Sequence, residues 1–327
     1  MTKSKSKLKK IILVGGNVFK QDGPILDFIK LCRKYKIKTF LITEKNQLNY
    51  PTQSHESFRQ SLKKLKVRYK VLKNFNANIN KVLKKENENY EAIMISFNSR
   101  WILKKNIIKI KEIYNYHNAD LPTQRGAACH SWRIMMNTFK SSLNFHIIEN
   151  KIDEGAILLK KKINIPKYFM NLSDYYYYLR SYEIVFFENF LRKLIKGNLK
   201  PKKQNNNNSY YWPRLLTSKN GFVDWSWSAK EIVSFSNAFD EPFIGISTFL
   251  KKKKIVLNGA RIVNKDVKFH PYQAGLVYRK IKNKICVATS KGGVSFYTNH
   301  NKSVKIKLGD RLYTDFKSLF ISRNLNF

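Results

Sequence analysis

Short apolar runs and longer amphipathic segments alternate along the first half of the chain. A continuous apolar run between turn residues is typical of a buried strand, and apolar positions every three or four residues are typical of a helix. The predicted strands are 11–14, 37–43, 67–72, 92–97 and the run that ends at His117, and the predicted helices are 25–35, 54–65 and 76–85. This alternation predicts an α/β fold in which helices cover both faces of a Rossmann-like, mostly parallel sheet.

The second half of the chain follows a different pattern. An amphipathic segment predicts a long helix with Ser173 as its N-cap and Gly197 as its C-cap. Residues 200–209 (KPKKQNNNNS) are polar and of low complexity, as in a linker or a surface loop. Beyond them, short strands are predicted at 255–262, 274–278, 285–288 and 293–297. We therefore expect a small C-terminal β-barrel-like domain.

Polar side chains stand where two strands of the predicted parallel sheet end, the position where such sheets bind ligands. Ser96 closes one strand, and Asn115 and His117 close another. Because strand side chains alternate between faces, Asn115 and His117 project together while Tyr116 faces away. A carboxylate, Asp153, follows in a later turn. The set suits acyl transfer to an amine, since an imidazole accepts the amine proton, an amide stabilises an oxyanion and a carboxylate orients the imidazole.

The order and spacing of these residues resemble the folate-dependent formyltransferases. Their pattern is N-x-H-x-S-x-L-P-x-x-R-G-x-x-P-x-x-W and then D-x-G, and it is matched here by Asn115, His117, Leu121-Pro122, Arg125-Gly126, Trp132 and Asp153-x-Gly155. Ala119 and Cys129 depart from the pattern, as does the segment 141–144. The resemblance implies that Asn115, His117 and Asp153 are catalytic, that 10-formyltetrahydrofolate is the formyl donor and that no metal ion takes part. The sequence leaves open whether His117 or Asp153 is the base.

The same resemblance places the folate beside the loop that follows the strand at 92–97. It implies that the cofactor contacts Ser96, Trp101, Ile102, Gly126 and Gly155. The alternative is that Trp101 and Ile102 only seal the edge of the sheet.

Other conspicuous residues have simpler interpretations. Gly15-Gly16 lacks the G-x-G-x-x-G spacing of a dinucleotide site and is interpreted as a close backbone turn. His146 lies in a predicted strand, 143–148, and is interpreted as a hydrogen-bonded structural residue. Cys129 and His130 are neighbours on a helix predicted at 127–139, where adjacent side chains do not face one another.

The C-terminal part resembles the same family through weaker motifs. The segments 221–225 (GFVDW), 237–239 (NAF) and Pro242-x-x-Gly245 correspond to I-D-W and R-A-F…P-x-x-G, with Asn237 in place of the Arg. We therefore predict a formyltransferase catalytic domain at 1–199, a linker at 200–220 and a formyltransferase-type β-rich domain at 221–327.

The charge balance is strongly basic, with 63 Lys and Arg against 22 Asp and Glu and a net charge of +41. Such a charge attracts polyanions such as tRNA. The excess is nevertheless spread along the chain as Lys together with abundant Asn and Ile, which an AT-rich coding sequence produces without selection for a ligand. We therefore prefer compositional bias as the explanation.

Cysteine usage and hydropathy bear on the compartment. The three cysteines are widely spaced, which predicts neither a disulfide framework nor a metal knuckle. No apolar run is long enough to span a bilayer. We expect a cytoplasmic protein without a membrane partner, and the oligomeric state stays open.

The function expected from the sequence is formyl transfer from 10-formyltetrahydrofolate to a primary amine on a nucleotide-linked amino sugar. The segment 98–101 (NSRW) is similar to a loop of the sugar enzymes, and the basic segment typical of the tRNA enzymes is not evident. Initiator methionyl-tRNA is the alternative acceptor because of the total charge. A second alternative is a non-catalytic, nucleic-acid-binding relative, which predicts the loss of at least one of the three catalytic residues.

Overall fold

The computed structural model describes residues 8, 10–17, 23–52, 56–86, 92–167, 171–264, 268–300 and 304–325. Contacts group the chain into two compact units, each built from separate stretches. The first unit comprises 1–125, 140–164 and 178–211, and the second comprises 126–139, 165–177 and 212–327. This grouping follows contacts rather than chain order, and the division at residues 199 and 220 remains a proposal.

The helices and strands alternate through the first half of the chain, as predicted. The strands are β1 (Lys10–Gly15), β2 (Lys38–Thr43), β3 (Arg68–Val71), β4 (Ile93–Phe97), β5 (Ile113–His117), β6 (Arg125–Gly126), β7 (Lys140–Ile147), β8 (Ile157–Asn164), β9 (Tyr211–Trp212), β10 (Ile246–Leu250), β11 (Lys253–Asn264), β12 (Val277–Ile281), β13 (Lys284–Ala288) and β14 (Gly293–Tyr297). The helices are α1 (Pro24–Lys34), α2 (Phe58–Lys64), α3 (Phe75–Glu86), α4 (Cys129–Met135), α5 (Leu172–Lys196), α6 (Thr217–Asn220), α7 (Ala229–Phe239) and α8 (Phe316–Arg323).

Two predicted helices differ in length from the helices observed. The helix predicted at 127–139 is shorter because Ala128 and Asn137, on either side of α4, have left-handed φ angles of 52°. The helix predicted at 54–65 begins at Phe58, where Ser57 caps it, and residues 53–55 lie outside the described part of the chain. The C-cap prediction at Gly197 is confirmed, with φ 64° at the end of α5.

The first unit contains a seven-stranded sheet in the order β3-β2-β1-β4-β5-β7-β8. The first five strands of this order run parallel, β7 runs antiparallel to β5, and β8 runs antiparallel to β7 and therefore in the same direction as the first five. This confirms the predicted mostly parallel sheet. The Gly15-Gly16 turn is also close, as interpreted, because a Cβ on Gly15 (φ 121°) would collide with the carbonyl oxygen of Phe97.

The second unit contains an antiparallel sheet in the order β10-β11-β14-β13-β12. The segment 311–313 connects the two edge strands of this sheet. Tyr313 forms a β-bridge with Phe249 in β10, and Arg311 forms one with Leu276, which precedes β12. Gly275 (φ 84°) permits this approach, because a Cβ there would collide with the carbonyl oxygen of Leu312. The C-terminal prediction of a β-barrel-like domain is therefore confirmed.

One face of β5 is filled by aromatic packing. The ring of Tyr116 lies 4.8 Å from that of Phe187 and 5.4 Å from that of Phe145, measured between centroids. Its hydroxyl donates to Glu183 in α5 at 2.5 Å. Because successive side chains of a strand alternate between its faces, Asn115 and His117 project from the face opposite Tyr116.

None of the helices in the described ranges is long and apolar enough to cross a lipid bilayer.

Candidate active site

Strand β5 presents Asn115 and His117 between two neighbouring strands. Asn115 is level with Ser96 of the parallel strand β4 and with His146 of the antiparallel strand β7. This register brings a second imidazole beside Asn115. The polar face of β5 is therefore flanked by polar side chains of β4 and β7.

The turn before β8 brings Asp153 over this polar face. Asn115 donates through Nδ2 to Oδ1 of Asp153 at 3.3 Å, and Nδ1 of His117 lies 3.6 Å from Oδ2. The side chains of His117 and Asp153 are only 9% and 10% exposed. The structure therefore brings together the three residues that the sequence predicts to be catalytic.

The imidazole of His117 is oriented by the loop that follows β5. Its Nε2 lies 2.6 Å from the carbonyl oxygen of Gln124. A carbonyl oxygen only accepts hydrogen bonds, so Nε2 carries the hydrogen and Nδ1 is the nitrogen that changes protonation. The backbone of Gln124 thus selects the tautomer, and Asp153 faces the nitrogen that can receive a proton.

His146 contacts the same carboxylate from the other side. Its Nε2 lies 3.2 Å from Oδ1 of Asp153 and 3.1 Å from Nδ2 of Asn115, and its Nδ1 donates to the carbonyl of Ile147 at 2.8 Å. When neutral, Nε2 can accept from Asn115, and when protonated it can donate to Asp153. His146 was interpreted as structural from the sequence, yet it lies within the candidate site.

One side of the site is supported by buried hydrogen bonds and the other by close backbone packing. Asn144 is fully buried, and its Nδ2 donates to the carbonyls of His117 and Ala119 at 3.1 and 2.6 Å. Asn144 belongs to the segment 141–144, which departs from the family pattern. Its hydrogen bonds nevertheless hold the loop after β5 in place. On the other side, a Cβ on Gly155 would collide with the carbonyl oxygen of Ile147, so only glycine lets this turn pack against β7.

The residues predicted to contact the folate have different surroundings. Ser96 is buried beside Asn115, and Trp101 stacks on Phe75 with ring centroids 5.1 Å apart. Ile102 is 54% exposed. Gly155 has the backbone role described above, and Gly126 (φ 97°) belongs to the second unit. Their contacts with a cofactor stay a prediction.

The fold is that of solved formyltransferase structures. The N-formyltransferase from Helicobacter canadensis, solved with folinic acid and dTDP-3-aminofucose, is 19% identical with a TM-score of 0.64, and the alignment covers 89% of this chain and 99% of that one. The sugar 3N-formyltransferase WlaRD, solved in the presence of dTDP and 5-N-formyl-THF, is 18% identical with a TM-score of 0.63, covering 91% of this chain and 100% of that one.

Sequence comparisons agree with the fold. Residues 215–308 match the model of the family described as "Formyl transferase, C-terminal domain". The bifunctional polymyxin resistance protein ArnA of Wigglesworthia glossinidia brevipalpis is 27% identical over 214 residues, covering 64% of this chain and 32% of ArnA. The methionyl-tRNA formyltransferase of Flavobacterium johnsoniae is 29% identical over 181 residues, covering 53% of this chain and 55% of that enzyme.

The matched region is a part of each of these curated relatives. It spans about a third of ArnA and 55–66% of the methionyl-tRNA formyltransferases. The C-terminal match, the methionyl-tRNA formyltransferases and the solved structures of the same fold nevertheless agree, and all of them are described as formyltransferases.

Proposed function

We propose that this protein transfers a formyl group from 10-formyltetrahydrofolate to a primary amine. The observation that carries the proposal is the convergence of an amide, two imidazoles and a carboxylate on the polar face of β5. The folate supplies a formyl carbon that is activated for attack by an amine. The side chains of the cluster then have to move one proton and stabilise one negative charge.

His117 is the proton acceptor in this proposal. Since Nε2 donates to the carbonyl of Gln124, Nδ1 accepts the proton that the attacking amine releases. The resulting imidazolium faces the Asp153 carboxylate, which stabilises the positive charge in a site that is largely shielded from water. The same Nδ1 proton can afterwards be donated to the departing nitrogen. Asp153 therefore acts by charge, and His117 acts as base and then as acid.

Asn115 is the oxyanion donor. One N–H of its amide donates to Asp153 and the other points to Nε2 of His146. An N–H of this amide that turns from either partner toward the substrate can stabilise an oxyanion.

Residues near the end of β4 fit a folate. Ile102 exposes an apolar side chain and Trp101 presents an aromatic ring that is already held by Phe75. Such side chains suit the flat pterin, while Ser96 beside Asn115 suits its polar groups. In the proposed complex these residues hold the donor next to the polar face of β5.

The acceptor that we favour is an amino sugar carried on a nucleotide. In support, the chain covers nearly the whole length of two solved structures, an N-formyltransferase in complex with dTDP-3-aminofucose and a sugar 3N-formyltransferase. Initiator methionyl-tRNA is the second candidate, supported by the methionyl-tRNA formyltransferases among the sequence relatives and by the net charge of +41.

A direct transfer assay separates these acceptors. The protein is incubated with 10-formyltetrahydrofolate labelled in its formyl group and with either dTDP-3-aminofucose or methionyl initiator tRNA. We expect label on the amino sugar, and none on the matched dTDP-sugar that carries a hydroxyl in place of the amine. Label on the tRNA alone contradicts the favoured acceptor, and label on neither contradicts both.

A further inference from the structure

The polar segment that was predicted as a linker reaches the candidate site. Gln204 lies in the stretch KPKKQNNNNS, and its Nε2 donates to the backbone carbonyls of Asp153 and Gly155 at 2.8 and 2.7 Å. Its Oε1 accepts from Nε and Nη2 of Arg125 at 3.2 and 3.0 Å. One amide side chain therefore connects the Asp153 turn with the buried Arg125.

The orientation of this amide is determined by its partners. A guanidinium only donates hydrogen bonds and a carbonyl oxygen only accepts them, so the oxygen of Gln204 must face Arg125 and its nitrogen must face the turn. All the hydrogen-bonding groups of the amide are then used. Because a flip would place donors against donors, the amide is locked in one orientation.

Arg125 holds Gln204 and the Asp153 turn together. Its side chain is 5% exposed, and it also contacts Oε1 of Glu154 at 3.2 Å and Oδ1 of Asn206 at 2.8 Å. Charge-assisted hydrogen bonds from a guanidinium are directional and stronger than those between neutral groups. Arg125 and Gln204 therefore hold three consecutive residues of the turn, through the carbonyl of Asp153, the side chain of Glu154 and the carbonyl of Gly155.

The turn needs such support because of its backbone conformation. Asp153 has φ 54°, in the left-handed region, which is unfavourable for a residue other than glycine. A small rotation there would carry the carboxylate away from Nδ1 of His117, which is already 3.6 Å distant. Holding the peptide therefore sets the distance on which the charge stabilisation depends.

We infer that Gln204 is a positioning residue that acts through Asp153, so that the polar 200–209 segment is part of the active site. The inference rests on the proposed formyl transfer, and it adds a residue from a segment that carries no family motif. It predicts that Gln204 controls the rate of the chemical step and leaves substrate binding nearly unchanged.

The test compares Gln204→Ala with Asn207→Ala, a change at an exposed residue of the same segment whose side chain has no hydrogen bond among the described residues. We expect Gln204→Ala to lower kcat on the order of 10- to 100-fold, because small misplacements of catalytic groups have costs of this size, with KM for both substrates changed less than about twofold. Gln204→Glu keeps the contact with Arg125 but loses the N–H donors, so it should resemble the alanine variant.

A double-variant cycle decides whether Gln204 acts through Asp153. If it does, adding Gln204→Ala to Asp153→Asn causes little further loss, whereas an independent structural effect would multiply the two losses. Multiplied losses, or a change in KM alone, would overturn the inference.

A spectroscopic measurement separates this inference from the proposed function. If the unmodified protein transfers formyl to no acceptor, the proposed function fails and the ring resonances of His117 and His146 provide the test. Gln204→Ala should shift both sets of resonances and Asn207→Ala should shift neither. Unchanged resonances in Gln204→Ala would overturn the inference whatever the activity.

Discussion

Two buried carboxylates in the first unit have opposite kinds of partner. Glu86, at the end of α3, is 7% exposed and binds Nζ of Lys10 at 2.8 Å and Nη2 of Arg68 at 2.9 Å. Asp153 is 10% exposed and contacts Asn115, His117 and His146. The two sites therefore share burial and negative charge, and they differ in whether the partner can exchange a proton.

This difference determines what each site can do. Lys and Arg keep their protons near neutral pH, so the Glu86 cluster is a fixed ion pair at the amino ends of β1 and β3. Imidazoles gain and lose protons in that range, so the Asp153 cluster can pass a proton to or from a substrate. The comparison predicts that substitutions at Asp153's partners affect rate, and that substitutions at Glu86 affect stability.

The largest effect is expected for His117→Ala. Removing the proton acceptor should lower kcat for formyl transfer by about 10²- to 10⁴-fold, the usual contribution of general acid–base catalysis. The measurement is steady-state transfer to the acceptor found in the labelling assay. His300→Ala, at an exposed histidine, is the matched control. Full activity in a correctly folded His117→Ala protein would refute the role of His117.

Asn115→Ala tests the oxyanion donor. Loss of one such donor should lower kcat by about 10²- to 10³-fold, because the negative charge then lacks a hydrogen bond in a dry site. Single-turnover kinetics with bound folate isolate this step from product release. Asn198→Ala, at an exposed amide on the helix-terminal turn, should be indistinguishable from the unmodified protein. A loss confined to KM would show that Asn115 only binds substrate.

Much of the architecture follows from local pattern. The strands at 11–14, 37–43 and 92–97 were predicted because their apolar runs are short and continuous, and each forms in the parallel sheet. Asn115, His117 and Asp153 could be selected as a set because two of them share a strand face and the motif spacing supplies the third. Their catalytic roles stay a prediction.

Non-local contacts explain what the sequence did not show. His146 enters the site through the antiparallel register that pairs it with Asn115, and this register was not predicted. Asn144 and His146, two residues apart on β7, pair with His117 and Asn115 of β5, and this matched spacing of polar residues is the signal that the sequence contains. Gln204 could not be recognised at all, because a polar, low-complexity stretch has no periodicity from which a contact with Asp153 follows.

Glu86→Gln should affect stability and leave the rate unchanged. The substitution leaves the Lys10 ammonium, which is 12% exposed, without a carboxylate, and breaking such a buried pair costs about 3 kcal/mol. Chemical denaturation measures the free energy of unfolding, with Glu149→Gln as an exposed control. If kcat at saturating substrate falls with stability intact, the contrast between the two carboxylates is wrong.

The smallest effect concerns a third carboxylate, Glu183, on the aromatic side of β5. Burial raises the pKa of Glu183 to about 7, although the hydrogen bond from Tyr116 and the charge of Arg180 act in the opposite direction. Between its ordinary pKa of 4.5 and about 7, the folded protein therefore holds a proton that the unfolded chain has released. The free energy of unfolding should consequently fall as pH rises through this window, by at most about 1.4 kcal/mol per pH unit.

Glu183→Gln isolates this contribution, because glutamine can still accept from Tyr116 and has no proton to release. Denaturation curves between pH 4.5 and 8 should show a shallower decline in the variant, which becomes relatively more stable above pH 7. The kcat at fixed pH should stay the same, since Glu183 lies on the face of β5 opposite Asn115 and His117. Parallel stability curves for Glu183→Gln and the unmodified protein would show that Glu183 ionises normally. Of the two clusters that contact β5, only the one around Asp153 would then depend on proton uptake.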